Sequence, residues 1–217
     1  MNADSPIVTQ PDQSPLRRLF HPIREECPAQ AAPLLRRLAN WDVTSARHSQ
    51  RVGAACRSFG MFLSLSDDDL ERLTLAGFLH DIGKLSTPRA ILTKDGRLTD
   101  DEYQEIKNHS NAGADLLMEE GFSQDIVSIT RYHHEWWNGR GYPEGLSGME
   151  IPFESRVIGI VDAWDAISAR RAYHRQRTDF LALSEIRSHA GTQFDPDLAP
   201  AFIDYSVQRL AEQRRVA

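Results

Sequence analysis

Apolar residues along this chain recur every three or four positions, and stretches that alternate every second residue are almost absent. That period belongs to helices with one buried face and points to an all-α bundle. Trp41, His48, Val52, Ala55, Phe59 and Phe62 form one stripe and predict a helix from Trp41 to Phe62. Ser66 with Asp69 reads as a capping box opening a second helix, along which Leu70, Leu73, Gly77 and His80 recur at helical spacing. Thr99 with Glu102 is another capping box, followed by Tyr103, Ile106, His109, Gly113 and Leu116 on a shared stripe. After Ser123, the residues Ile126, Ile129, Thr130 and His133 share a face. The run from Val157 to Ile167 is strongly apolar and carries Asp162, and Asp195-Pro196 opens a final helix with Leu198, Phe202 and Tyr205. Upstream, Leu16 to Leu38 reads as short helices interrupted at Pro22, Pro28 and Pro33, because proline breaks the backbone ladder. The organisation expected is an N-terminal arm over 1–33, partly disordered or in short helices, and one domain over 34–217.

The inward positions of these stripes hold unusual residues. His48, His80, His109 and His133 all face the core, His134 stands beside the last of them, and Asp81 and Asp162 sit in apolar surroundings. A single inward histidine is usually a hydrogen-bonded core residue. Five are different, because a buried carboxylate costs several kcal/mol unless paired or bound to a cation, and no buried lysine or arginine is evident for each. A shared metal site removes both costs, and neutral imidazoles with carboxylates are the ligand set that borderline first-row metals accept. Metal-assisted hydrolysis is the chemistry this points to.

Composition narrows the picture. With 217 residues, 41% hydrophobic and 26% charged, the chain is long enough for a substantial core and close to a soluble globular average. No apolar run approaches the roughly 20 residues of a membrane span, and Met1 to Gln13 has no basic or apolar signal region, so a cytoplasmic protein is expected. Cys27 and Cys56 form no C-x-x-C pair and read as free thiols. A net charge of -6 argues against binding a nucleic-acid duplex, but it leaves room for a small anionic ligand. Arg170, Arg171, Arg175 and Arg177 cluster locally, either as a basic pocket or as solvated side chains. The glycine-rich turn from Asn138 to Gly148 lacks a triphosphate-binding signature. Trp136 and Trp137 beside it are suited to stacking on a guanine or to filling the core, the latter being favoured for at least one.

The ordered motifs His48-Ser-x-Arg-Val, His80-Asp-Ile-Gly-Lys84, His109, His133-His-Glu135, Gly139-x-Gly-Tyr-Pro-x-Gly145, Ile151-Pro152, Asp162-Ala-x-Asp-Ala166 and Gly191-Thr-Gln-Phe-Asp-Pro196 resemble the HD-GYP family. This is a branch of the HD phosphohydrolases, and the resemblance runs across roughly Trp41 to Tyr205. It implies a helical HD domain whose buried centre of two or three metals hydrolyses cyclic di-GMP to linear pGpG and often on to GMP, through a hydroxide held between the metals. It assigns His48, His80, Asp81 and Asp162 to one metal, with Asp81 bridging, and His109, His133 and His134 to the second. Lys84 would assist the attack or protonate the departing oxygen, a solvated helix-end lysine being the plainer alternative. Thr44 stands where some members have a glutamate for a third metal, so two metals are expected. Histidine and carboxylate without thiolate favour iron or manganese over structural zinc.

Three further departures bear on substrate affinity and on the second hydrolytic step. Arg171 keeps the phosphate-binding guanidinium, His174 replaces a lysine or arginine, and Asn138 stands where aspartate is common. The resemblance also implies that the Gly-Tyr-Pro loop contacts partner proteins, and a homodimer stays open. Two other functions remain. One is a broader HD phosphohydrolase acting on nucleotides, which has less need of His109, His133 and His134. The other is a catalytically weak domain that senses cyclic di-GMP or docks a partner.

Overall fold

The computed structural model describes residues 27–169 and 175–216, and all regular elements there are helices. In chain order they are α1 (Ala32–Trp41), α2 (Val43–Phe62), α3 (Asp67–Leu79), a 3-10 turn (Ile82–Leu85), α4 (Arg89–Leu92), α5 (Asp100–Lys107), α6 (His109–Glu119), α7 (Gln124–Tyr132), a second 3-10 turn (Gly148–Glu150), α8 (Phe153–Ala169), α9 (Arg175–Ser188) and α10 (Leu198–Val216). Isolated bridges join Asn138 to Ser147 and Ala190 to Phe194. No described helix is long and apolar enough to cross a membrane.

The core lies where α2, α3 and α8 meet, closed by α1, α7, α9 and α10. Val52, Phe59, Leu73, Leu79, Val157, Ile158, Trp164 and Phe202 are its nearly water-free centre. Two glycines set how closely α2 and α3 approach. A Cβ added at Gly77 would lie 3.1 Å from the Gly53 Cα and 3.2 Å from Cys56, and one at Gly53 would fall 2.3 Å from the Phe78 ring. The two helices therefore carry His48 and His80 into each other's neighbourhood, with ring centroids 5.2 Å apart.

Several boundaries differ from the sequence reading. The chain breaks at Asp42, so Trp41 ends α1 rather than opening α2, and its indole donates to the Thr87 carbonyl. Asp42 has extended backbone and caps α2 by accepting from the Thr44 and Ser45 amides. That satisfies donors a helix start leaves open, which a continuous helix would have wasted. Pro33 does not interrupt a helix; it lies in the first turn of α1, where its missing N–H is not needed. Residues 16–26 of the short helices expected upstream lie outside the described residues. The single helix expected after Thr99 is two, divided at Asn108, with the Ile106 carbonyl accepting from both the Asn108 amide and the His109 ring. Tyr103 is exposed rather than inward. The Thr99–Glu102 capping box is complete, and Ser66 accepts from the Asp69 amide.

Candidate metal centre

Each histidine of the cluster is delivered by a helix or its end. His48 projects from the middle of α2, His80 caps the C-terminus of α3, His109 opens α6, and His133 ends α7 with His134 next to it. Asp81 follows His80 into the 3-10 turn, and Asp162 comes from α8. All seven residues meet in one place. His109, His133 and His134 form one group, His48, His80 and Asp162 a second, and His80, Asp81 and His133 a third; within each, the donor atoms lie within 4.8 Å of one another.

Hydrogen bonding fixes three ring orientations. The Nδ1–H groups of His80, His109 and His133 donate to the carbonyls of Gly77, Ile106 and Thr130, each three residues earlier, at 2.8, 2.6 and 2.6 Å. Carbonyls only accept, so in the neutral rings every Nε2 is a bare lone pair aimed inward. Burial lowers all three imidazoles below their ordinary range and keeps them neutral. The Nε2 atoms of His109 and His133 are 3.3 Å apart with no proton to share, and the buried Nε2 of His80 has no hydrogen-bond partner. Lone pairs converging without donors fit a cation. His134, lowered by burial to about 3, lies against Tyr142 with centroids 4.8 Å apart and the ring planes tilted by 32°.

The carboxylates complete the site. Asp81 is buried and reaches both sides, with Oδ2 3.6 Å from the Nε2 atoms of His48 and His80 and Oδ1 3.4 Å from the Nε2 of His109. Burial works against its charge, but the Lys84 ammonium beside it holds it well below the usual carboxylate range. Lys84 ion-pairs directly with Asp81. This corrects the expectation that no basic side chain serves the buried aspartates, because one turn of 3-10 helix brings the ammonium back over the carboxylate it follows. Lys84 thus faces the site, as the sequence reading placed it.

His48 stands apart from the other rings. Its Nε2 lies 2.9 Å from Asp162 Oδ1 and its Nδ1 2.7 Å from Asp165 Oδ2. Burial disfavours its charge, yet hydrogen bonds to the two carboxylates raise it to about 10. Arg51 grips the same Asp165 through two bonds of 2.8 and 2.7 Å. The sequence reading gave Asp165 and Arg51 no role, although each sits three residues after a candidate ligand and so shares its helix face. It also gave none to Glu135, a buried carboxylate that accepts from the Glu144 and Gly145 amides and ties the glycine-rich loop to the His-His segment. Gly141 is necessary there, since a Cβ would fall 2.3 Å from the Trp136 amide nitrogen. Trp136 and Trp137 are both half-buried, neither wholly in the core, and line a cleft of about 150 Å³ that borders His133, His134 and Asp162. Arg171 and His174 lie outside the described residues.

An all-helical bundle converging histidines and aspartates at its core defines the class, and the comparisons agree. A family model described as HD domain matches residues 33–198. The chain belongs to the HD domain family, and its motifs and relatives place it in the HD-GYP branch. It is 34% identical over 164 residues to a cyclic di-GMP phosphodiesterase of Thermotoga maritima, covering 75% of this chain and 45% of that protein. It is 36% identical over 143 residues to the cyclic di-GMP phosphodiesterase response regulator RpfG of Xanthomonas campestris, covering 65% and 38%. It is 39% identical over 128 residues to the 3'3'-cGAMP-specific phosphodiesterase 1 of Vibrio cholerae, covering 58% and 30%. The chain thus spans less than half the length of these relatives. Among solved structures, the PgpH HD domain of L. monocytogenes in complex with cyclic-di-AMP shares the fold with a TM-score of 0.61 at 18% identity, over 85% of this chain and 96% of that one.

Proposed function

We propose that this domain is a phosphodiesterase that opens a cyclic dinucleotide, cyclic di-GMP foremost, to linear pGpG and then GMP, using two divalent cations, iron or manganese. The observation that carries the reading is the convergence of bare Nε2 lone pairs from His80, His109 and His133 on the buried Asp81 carboxylate. His48, His80, Asp81 and Asp162 would hold one ion and His109, His133 and His134 the other, with Asp81 shared. Bound there, the ions would polarise the phosphodiester oxygens and acidify a water to the attacking hydroxide.

The chain's own groups would do the rest. Lys84 keeps its charge, because the Asp81 carboxylate raises it against the opposing effect of burial. Its ammonium would offset charge gathering on the phosphodiester and give a proton to the departing oxygen. Asp81, Asp162 and Asp165 would keep their charge in place by ion pairing and not by solvent, so little reorganisation is needed during reaction. Arg171 and His174 would contact a phosphate, with the imidazole giving the weaker grip.

Relatives named for cyclic di-GMP and for 3'3'-cGAMP match at similar identity, which favours a hybrid dinucleotide as the second candidate substrate. The test is to purify the protein anaerobically, load it with manganese or ferrous iron, and incubate it separately with cyclic di-GMP and 3'3'-cGAMP. Linear dinucleotide or GMP is expected from the first. Product from the second alone would shift the substrate, and binding of both without turnover by metal-loaded protein would replace the enzyme with a sensor.

A further inference from the structure

His48 differs from the other oriented imidazoles in what holds the nitrogen turned away from the site. His80, His109 and His133 each lean on a main-chain carbonyl, whereas His48 leans on a side chain, the buried carboxylate of Asp165. Two helices face each other here through two pairs of side chains. α2 contributes His48 and Arg51 one turn apart, and α8 contributes Asp162 and Asp165 at the same spacing. The ring of His48 is thereby held between two carboxylates of one helix, and Arg51 fixes the second through a two-point contact that leaves it little freedom to rotate. Asp165 is 1% exposed and does not reach the cluster of candidate ligand groups itself.

We infer that Asp165, pinned by Arg51, is a positioning residue. It holds the Nδ1–H of His48, so that Nε2 is the nitrogen a cation takes in place of its proton, and it tightens the cation position formed by His48, His80 and Asp162 without affecting the one formed by His109, His133 and His134. A carboxylate behind a ligating imidazole fixes the ring and raises its basicity, and losing such a partner costs about 10–100-fold in metal affinity. The other half keeps its carbonyl-held rings when Asp165 is changed, so the loss falls on one ion of two. This inference rests on the two-ion reading proposed above.

The test compares the parent with Asp165→Ala, and with the double variant Arg51→Gln/Asp165→Asn, in which neutral groups replace the ion pair and no half-buried guanidinium is left without its carboxylate. Metal-stripped proteins are titrated with manganese by equilibrium dialysis, and cadmium-loaded samples are followed by cadmium NMR. Both variants should bind one ion as tightly as the parent and the other about 10–100-fold more weakly. The cadmium spectrum should show one resonance shifted and one unmoved. If the double variant, with a melting temperature matching the parent, binds both ions at parental affinity, the positioning role is wrong. If both ions weaken equally, Asp165 supports the fold generally and the inference is equally overturned. A parent that binds no ion at all defeats the two-ion reading instead.

Discussion

At the scale of single residues, Asp81 and Lys84 separate binding from chemistry. Asp81 reaches the imidazoles on both sides of the cluster, so Asp81→Ala should empty both cation positions and abolish turnover, as elemental analysis alongside product assay would reveal. Lys84 touches the site through Asp81, and its ammonium, kept charged by that carboxylate, has no lone pair to offer a cation. Lys84→Ala should therefore retain its metal while kcat falls about 10²-fold or more. Unchanged kcat would remove Lys84 from the chemistry. The inward histidines were legible in the sequence because helical periodicity places a polar residue on an apolar face conspicuously. That Lys84, one helical turn after Asp81, faces the site was legible as well, but the direct ion pair between them was not, since it depends on the tight 3-10 turn after α3. Glu135 and Asp165 escaped for a related reason, as their partners lie 9 and 117 positions away.

Among the elements, the ends of α2 and α6 bear most directly on the site. Asp42 caps α2, and although burial opposes its charge, hydrogen bonds from Ser45 and Thr44 hold its carboxyl below the ordinary value. A depressed folded value means its contribution is present at neutral pH and is lost as pH falls through that value. Asp42→Ala should cost about 1 kcal/mol at neutral pH. That corresponds to a melting temperature roughly 2–4 °C lower, and thermal scans should show parent and variant converging in acid. At α6, the 3-10 turn docks so tightly that a Cβ on Gly83 would lie 1.9 Å from the His109 carbonyl oxygen and 2.4 Å from the Gly113 amide nitrogen. Gly83→Ala should destabilise by more than about 2 kcal/mol and misplace Asp81 and His109 together, read as a lower melting temperature with reduced metal content. Helix existence was plain from periodicity and caps, whereas the breaks at Asp42 and Asn108 were not. Apolar spacing runs across both, and only competition for particular amides and carbonyls decides where a helix stops.

For the whole molecule, the proposed ions would join α2, α3, α6, α8 and the end of α7 at one point. Their binding should appear as stability. Manganese at about 100 times its dissociation constant should add roughly 2.7 kcal/mol per site, and a chelator should remove it. Thermal melts with and without metal test this, and identical curves would mean the cluster does not hold a cation. The fold class follows from periodicity, but the order of packing does not, because it is set by close contacts between helices such as the one between Gly53 and Gly77. Those two positions let the reach between the His48 and His80 rings be calibrated. Alanine, serine and valine at Gly77 would act as wedges of increasing thickness between α2 and α3, turning the spacing of the two donors into an adjustable dimension. Ions of different radius, offered to such a graded set, would report the gap the native backbone leaves for them.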